Sequence, residues 1–161
     1  MAISKKGSLK ITVKNINYLY KVSKLKKKSD WREQHNELDE TFMKYASYYG
    51  LGKVKDATLN LVVQSAEKPT SHLFIKCHTL QVAGFMGPEQ IQEIKPAMVA
   101  KLIQKAIEEG WEPNEKGDHR ITLAQKWQEN KSPVILQLPQ MNEEIGDYPN
   151  LEKPIEIDLE D

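Results

Sequence analysis

The sequence contains a single cysteine, no long apolar run and no net charge, and the first two absences exclude whole classes of protein. With Cys77 alone among 161 residues, no internal disulfide can form, which agrees with a reducing compartment. No segment approaches the roughly 20 apolar residues that span a bilayer. The lysines near the N-terminus are not followed by the apolar run of a secretory signal. We therefore expect a cytoplasmic protein.

The chain also lacks the spaced motifs of metal, nucleotide and nucleophilic sites. Its four histidines and Cys77 form no C-x-x-C, H-x-x-x-H or H-E-x-x-H pattern. Cys77 and His78 are neighbours, so on a strand they point to opposite faces and do not share an ion. The same geometry predicts that Cys77 is a small core residue and that His78 faces outward. Residues 50–53 have two glycines and a lysine but not the rest of a phosphate-binding loop. We expect no metal, no cofactor and no catalytic residue, and more readily a binding protein than an enzyme.

Composition predicts one ordinary domain with an unusual distribution of charge. A chain that is 39% hydrophobic and 29% charged is long enough to bury a core. Residues 1–56 hold twelve lysines and one arginine against six acids, a net charge of +7. Residues 138–161 hold eight acids against one lysine, a net charge of −7. Such asymmetry is typical of interaction surfaces, or of a tail that lies on its own domain.

The clearest element is a helix at about 96–109. Pro96 suits a first helical position, and Gly110 can adopt the left-handed conformation that ends a helix. Trp111 can then fold back on the last turn, and Pro113 prevents continuation. The apolar positions recur at spacings of three and four, as expected for one buried stripe: Val99, Leu102, Ile103, Ala106 and Ile107.

Alternation of apolar and polar residues predicts the strands. Residues 8–23 form one β-hairpin around Lys14-Asn15, and residues 58–65 and 72–82 form a second. Shorter apolar runs follow at 120–123 and 134–138, and an aromatic helix is inserted at about 30–49. The fold class is therefore α+β: an antiparallel sheet from two hairpins and a C-terminal strand, packed by the 96–109 helix. Residues 1–138 form the domain, and 139–161 an acidic, proline-containing tail.

The core order, with its Gly110-Trp111-Glu112-Pro113 turn, Lys116-Gly117 loop and short strand, resembles small uncharacterised bacterial cytoplasmic proteins that close with a helix, a GWxP turn and a strand. The similarity is specific over 95–123 and looser over 9–22 and 58–82. Those proteins lack the inserted helix and the acidic tail. The resemblance implies no catalytic residues, and it is compatible with an immunity or companion protein of an effector.

Two segments predict partner surfaces. A basic stretch lies near Trp31, Tyr18 and Tyr20, a composition that suits single-stranded nucleic acid; the alternative is a solvated loop beside core aromatics. Its candidate binding residues are Lys24, Lys26, Lys27, Lys28, Trp31 and Arg32. In the tail, apolar residues alternate with acids, as in an edge strand that pairs with its own sheet, a second copy or another protein; a disordered tail is the alternative. The tail residues proposed to bind are Ile155, Glu156, Ile157, Asp158 and Leu159.

Our first functional hypothesis is a non-enzymatic protein-interaction module. The second is a nucleic-acid-binding accessory protein that uses the basic patch at residues 21–32. A third is a small hydrolase centred on Asp118 and His119, because a carboxylate and an imidazole exchange protons near neutral pH. The third requires both residues in one pocket with a histidine from the 72–78 strand.

Overall fold

The computed structural model describes residues 3, 6–24, 44–45, 48–49, 53–81, 94–128, 131–139 and 152–159. These residues form a seven-stranded sheet with one long helix, which confirms a mixed α+β fold in which the sheet predominates. Most of the predicted 30–49 helix lies outside the described residues, although Lys44, Tyr45 and Tyr48 are helical. The elements are β1 (Leu9–Val13), β2 (Ile16–Lys24), β3 (Lys53–Ser65), β4 (His72–Gln81), α1 (Pro96–Glu108), β5 (His119–Gln128), β6 (Lys131–Leu138) and β7 (Ile155–Ile157).

The seven strands lie side by side in chain order. Every neighbouring pair is antiparallel except β4 and β5, which run parallel. The sequence predicted an antiparallel sheet, so this pairing is a difference. It arises because α1 carries the chain back along the sheet, and β5 then begins at the end where β4 begins.

A tight turn fixes the register of β1 on β2. Lys14 and Asn15 both have positive φ, 48° and 64°, as the two central residues of a type I′ turn require. Val13 then lies opposite Ile16, and Thr12 opposite Asn17. Thr12 Oγ1 donates a hydrogen bond of 2.7 Å to Asn17 Oδ1. The turn therefore places Ile11, Val13, Ile16 and Tyr18 on a single face.

Helix α1 buries the stripe that its spacing predicts. Val99, Leu102, Ile103 and Ala106 are all buried. They pack with alternate residues of the sheet, so α1 covers one face, here called the helix face. From the sheet, the core on that face takes Val13, Tyr18, Tyr20, Leu61, Val63, Leu73, Ile75, Cys77, Ile121 and Leu123, together with Trp111 and Leu159 from the connecting segments.

The helix ends as its sequence predicts. Gly110 has φ of 101°, a conformation that favours glycine, and its N–H donates to the Ile107 carbonyl. The Trp111 N–H donates to the Ala106 carbonyl at 2.8 Å, and the indole is buried. The chain is thereby turned toward β5 while Trp111 remains in the core.

The face of the sheet opposite to the helix face, here called the second face, is apolar and buried in one part and polar in another. Leu19, Ala124, Leu136 and Leu138 are buried there. Nearer β1 and β2 the same face presents charged and polar side chains. Within the described ranges, no helix is long and apolar enough to cross a membrane.

Replacing Leu102 with alanine should lower the free energy of unfolding by about 2–5 kcal/mol, because the substitution leaves a cavity between α1 and the sheet. Urea unfolding followed by circular dichroism measures the change. Gln104→Ala, at an exposed position of the same helix, is the control and should shift stability by less than about 0.5 kcal/mol. Equal effects of the two substitutions would show that the stripe is not buried.

Candidate functional site

The residues proposed for acid–base chemistry belong to two separate pairs. Asp118 Oδ1 lies 3.1 Å from His72 Nδ1 and accepts a hydrogen bond of 3.1 Å from the His72 backbone N–H. His119 Nε2 lies 3.2 Å from Glu109 Oε2. Because side chains alternate along a strand, His72 lies on the second face, whereas His119 is in register with core residue Leu73 on the helix face. Asp118 and His119 therefore do not meet in one pocket.

A serine, a histidine and an aspartate, the residue types of a catalytic triad, lie close together at Ser71, His72 and Asp118. Their hydrogen bonds, however, are not those of a triad. Ser71 Oγ donates to the Gly117 carbonyl and accepts a 2.7 Å hydrogen bond from Trp111 Nε1. A nucleophilic serine would instead give its proton to the histidine. Since Ser71 is fully buried, this hydroxyl ties the start of β4 to the segment that leads into β5.

Glu109 is the centre of a second junction. It follows α1, at the end of the helix where a carboxylate is unfavourable. Gln137 Nε2 donates to Glu109 Oε1 at 2.6 Å, and Lys105 Nζ lies 3.6 Å from the same oxygen. With His119 on its other oxygen, Glu109 connects the end of α1 to β5 and β6. These partners offset the unfavourable position, so the carboxylate has a structural role.

Cys77 is a core residue, as the alternation of β4 predicts. Burial raises the pKa of its thiol to about 12. Its neighbours around a small cavity are mostly apolar side chains, among them Met98, Leu102, Leu123 and Leu159. A thiol in such surroundings is a poor nucleophile, because the thiolate is the reactive form. Within the described part of the chain, no group of histidine, cysteine and acidic residues could hold a metal ion.

The predicted nucleic-acid patch is described only at its beginning. Lys21 is an exposed residue of β2, and Lys24 is the last residue of that strand. Tyr18 and Tyr20 are buried on the helix face and do not border an open basic surface. The other candidates, Lys26, Lys27, Lys28, Trp31 and Arg32, lie outside the described residues.

The acidic tail is used, in part, by the chain itself. Ile155–Ile157 forms β7, antiparallel to β6, so of the three pairings that the sequence left open, the structure contains the pairing with its own sheet. Leu159 is 5% exposed and belongs to the core. Tyr45 Oη donates to the Glu152 carbonyl at 3.1 Å, just before β7. Glu156 and Asp158 remain exposed, and Ile155 is 54% exposed.

Sequence reasoning missed a set of residues on the second face. Lys21, Val62, Phe74 and Arg120 are directly opposite one another on β2, β3, β4 and β5. The next row contains Lys76 at the same face of β4. The Arg120 guanidinium lies 5.1 Å from the centre of the Phe74 ring. Alternation along β4 and β5 shows which face each residue occupies, but only the parallel pairing brings Phe74 and Arg120 together.

Comparisons with protein-family models, with curated proteins and with solved structures found no match to this chain.

The Ser71–Trp111 hydrogen bond should contribute measurably to stability. Ser71→Ala leaves the indole N–H without its acceptor, and each buried polar group left unsatisfied costs about 1–3 kcal/mol. A double-mutant cycle with Trp111→Phe, measured by urea unfolding, should give a coupling energy of about 0.5–3 kcal/mol. Additivity within about 0.3 kcal/mol would contradict a direct bond.

Cys77 should react only when the protein opens. The pKa of this thiol is about 12 in the native protein and 9.0 in an unperturbed thiol. Below pH 9.0 the thiol is protonated in both the folded and the unfolded chain, so its full contribution to the free energy of unfolding is present. As pH rises from 9.0 toward 12, the unfolded chain ionises first and that contribution is lost. At about pH 8, labelling by a disulfide reagent should therefore be far slower than that of a free cysteine and should accelerate with denaturant. Rapid labelling of the native protein would contradict the buried position.

Proposed function

We propose that this chain is a non-enzymatic, cytoplasmic protein-binding module that receives a strand of a partner protein at the outer edge of β1. An immunity or companion protein of an effector is the specific form of this proposal. The observation that carries it is the contrast between the two edges of the sheet. The β7 edge has more of the features that prevent strand pairing than the β1 edge has.

The β7 edge has the features that prevent pairing between sheets. It is only three residues long, Pro154 precedes it, and Glu156 lies within it. Short length, proline and charge are the usual devices by which proteins protect an edge strand. An added strand would find few backbone groups there.

The β1 edge lacks most of these devices. It has five residues, Leu9–Val13, with no proline, and Lys10 is its only charged residue. Leu9 is 58% exposed and Val22, on the same face of neighbouring β2, is 36% exposed. A peptide strand laid along β1 would gain main-chain hydrogen bonds from the edge and apolar contact from these two side chains.

The geometry of the hairpin specifies which backbone groups are available. In a two-residue hairpin the residues that flank the turn exchange hydrogen bonds, so Val13, Ile11 and Leu9 bond inward to β2. Lys10 and Thr12, between them, direct their N–H and carbonyl groups outward. The Asn17 carbonyl, opposite Thr12, accepts from the Ala66 N–H, which agrees with this alternation.

Lys10→Pro should abolish partner capture, because it removes an outward N–H while leaving the bonds between β1 and β2 in place. Lys10→Ala is the matched control: it loses the same charge and keeps the N–H. Tagged wild-type protein and both variants are used to capture partners from the native host, with mass spectrometry to identify them. Wild type and Lys10→Ala should retain the same protein in stoichiometric amount, and Lys10→Pro should not.

Equal capture by all three proteins would contradict binding at the β1 edge. A different outcome is that the capture retains only further copies of this chain, and that analytical ultracentrifugation shows a dimer that Lys10→Pro dissociates. That result would mean that the partner strand at β1 belongs to a second copy of this chain and not to a different protein. Circular dichroism on Lys10→Pro confirms that the sheet is intact in each case.

A further inference from the structure

The second face of the sheet contains a row of four residues that no function above uses. Lys21, Val62, Phe74 and Arg120 form one continuous row across β2, β3, β4 and β5. The next row holds Ser23, Asn60, Lys76 and Thr122 in the same order. Together these two rows are here called the basic face.

The basic face carries positive charge only. Lys21, Lys76 and Arg120 are cationic, and neither row contains an acid. Neighbouring strands are about 4.8 Å apart and alternate residues about 6.6 Å apart, so the three cations surround Phe74 within about 10 Å, measured between Cα atoms. The carboxylate at the margin, Asp118, is paired with His72. In a chain with no net charge, these two rows are a local concentration of basic side chains.

Phe74 gives the basic face a flat aromatic surface at its centre. The side chain is half-buried on β4, which lies between β3 and β5 in the sheet. Its ring is stacked on His72, with centroids 5.7 Å apart and planes 30° apart, and the Arg120 guanidinium lies 5.1 Å from its centre. Aromatic rings and guanidinium planes are the groups on which proteins stack exposed bases, and surrounding lysines neutralise phosphates.

From this arrangement we infer that the basic face binds single-stranded nucleic acid, with a base stacked at Phe74–Arg120 and phosphates neutralised by Lys21 and Lys76. Stacking at Phe74 requires an unpaired base, which a single strand offers and an intact duplex does not, so a single strand is the form that fits. An acidic protein segment would satisfy the charges but would place no base on Phe74. This site is distinct from the β1 edge, and it shares only Lys21 and Ser23 with the basic patch at residues 21–32.

The test measures fluorescence anisotropy of labelled oligothymidylate and oligouridylate of about 15 nucleotides, a length within the usual range for such sites. The full chain should bind both, with affinity that decreases as salt increases. For single strands each neutralised phosphate contributes about −0.7 to the log–log slope, so Lys21 and Lys76 together predict about −1.4.

Two substitutions separate stacking from charge. Phe74→Leu keeps an apolar side chain and removes the ring, and should weaken binding about 5- to 150-fold with an unchanged salt slope. The double substitution Lys21→Glu and Lys76→Glu should weaken binding by about tenfold or more and reduce the slope by about 1.4. Lys95→Glu, an exposed lysine at the start of α1, makes the same type of charge change away from the basic face and should leave affinity within about twofold.

Absence of binding by the wild-type chain at low salt would overturn the inference. A second result would also overturn the inference: wild type and Phe74→Leu bind the oligonucleotide with equal affinity, and polyglutamate of the same length displaces it. That result would indicate that the basic face binds an acidic protein segment. Thermal unfolding of each variant establishes that a lost affinity reflects the site. The Lys10→Pro substitution leaves this binding unchanged, so the two proposals fail independently.

Discussion

The burial of one helical stripe against one face of the sheet determines how this protein is organised. Val99, Leu102, Ile103 and Ala106 cover the helix face, and the alternate residues of β2, β3, β4 and β5 meet them. Helix α1, with 13 residues, is about 20 Å long and cannot cover both faces of a seven-stranded sheet. Among the described residues, Leu9 at the β1 edge, Ile155 in β7 and Lys21 on the second face are exposed.

The same constraint explains the polar junctions at the end of α1. Because the helix returns the chain to the beginning of β4, the segment 110–118 must join a helix end to a parallel strand. Ser71 holds both Trp111 and Gly117, while Asp118 holds His72. Glu109 bridges to His119 and Gln137. In the sequence, Asp118 and His119 suggested acid–base catalysis. In the structure, they hold the start of β5 in register with β4.

The features that the sequence predicted correctly depend on residues that are close together in the chain. The helix, its glycine end and the position of Cys77 in the core all follow from spacing and backbone conformation. The parallel pairing of β4 with β5 was not predicted, because alternation identifies the face of a residue but not the neighbouring strand. For the same reason Phe74 and Arg120, which are 46 positions apart, could not be placed in contact. The start of β3 at Lys53 was also missed, since the strand is irregular between Val54 and Leu59.

Among the described strands, β1 has a neighbour on one side only, and the proposed partner site depends on that edge being open. Amide hydrogen exchange within β1, measured by nuclear magnetic resonance on the isolated protein, tests it most directly. An open edge predicts protection at Ile11 and Val13 and rapid exchange at Lys10 and Thr12. Equal protection of all four amides would show that another strand already covers the edge, and would contradict an open edge.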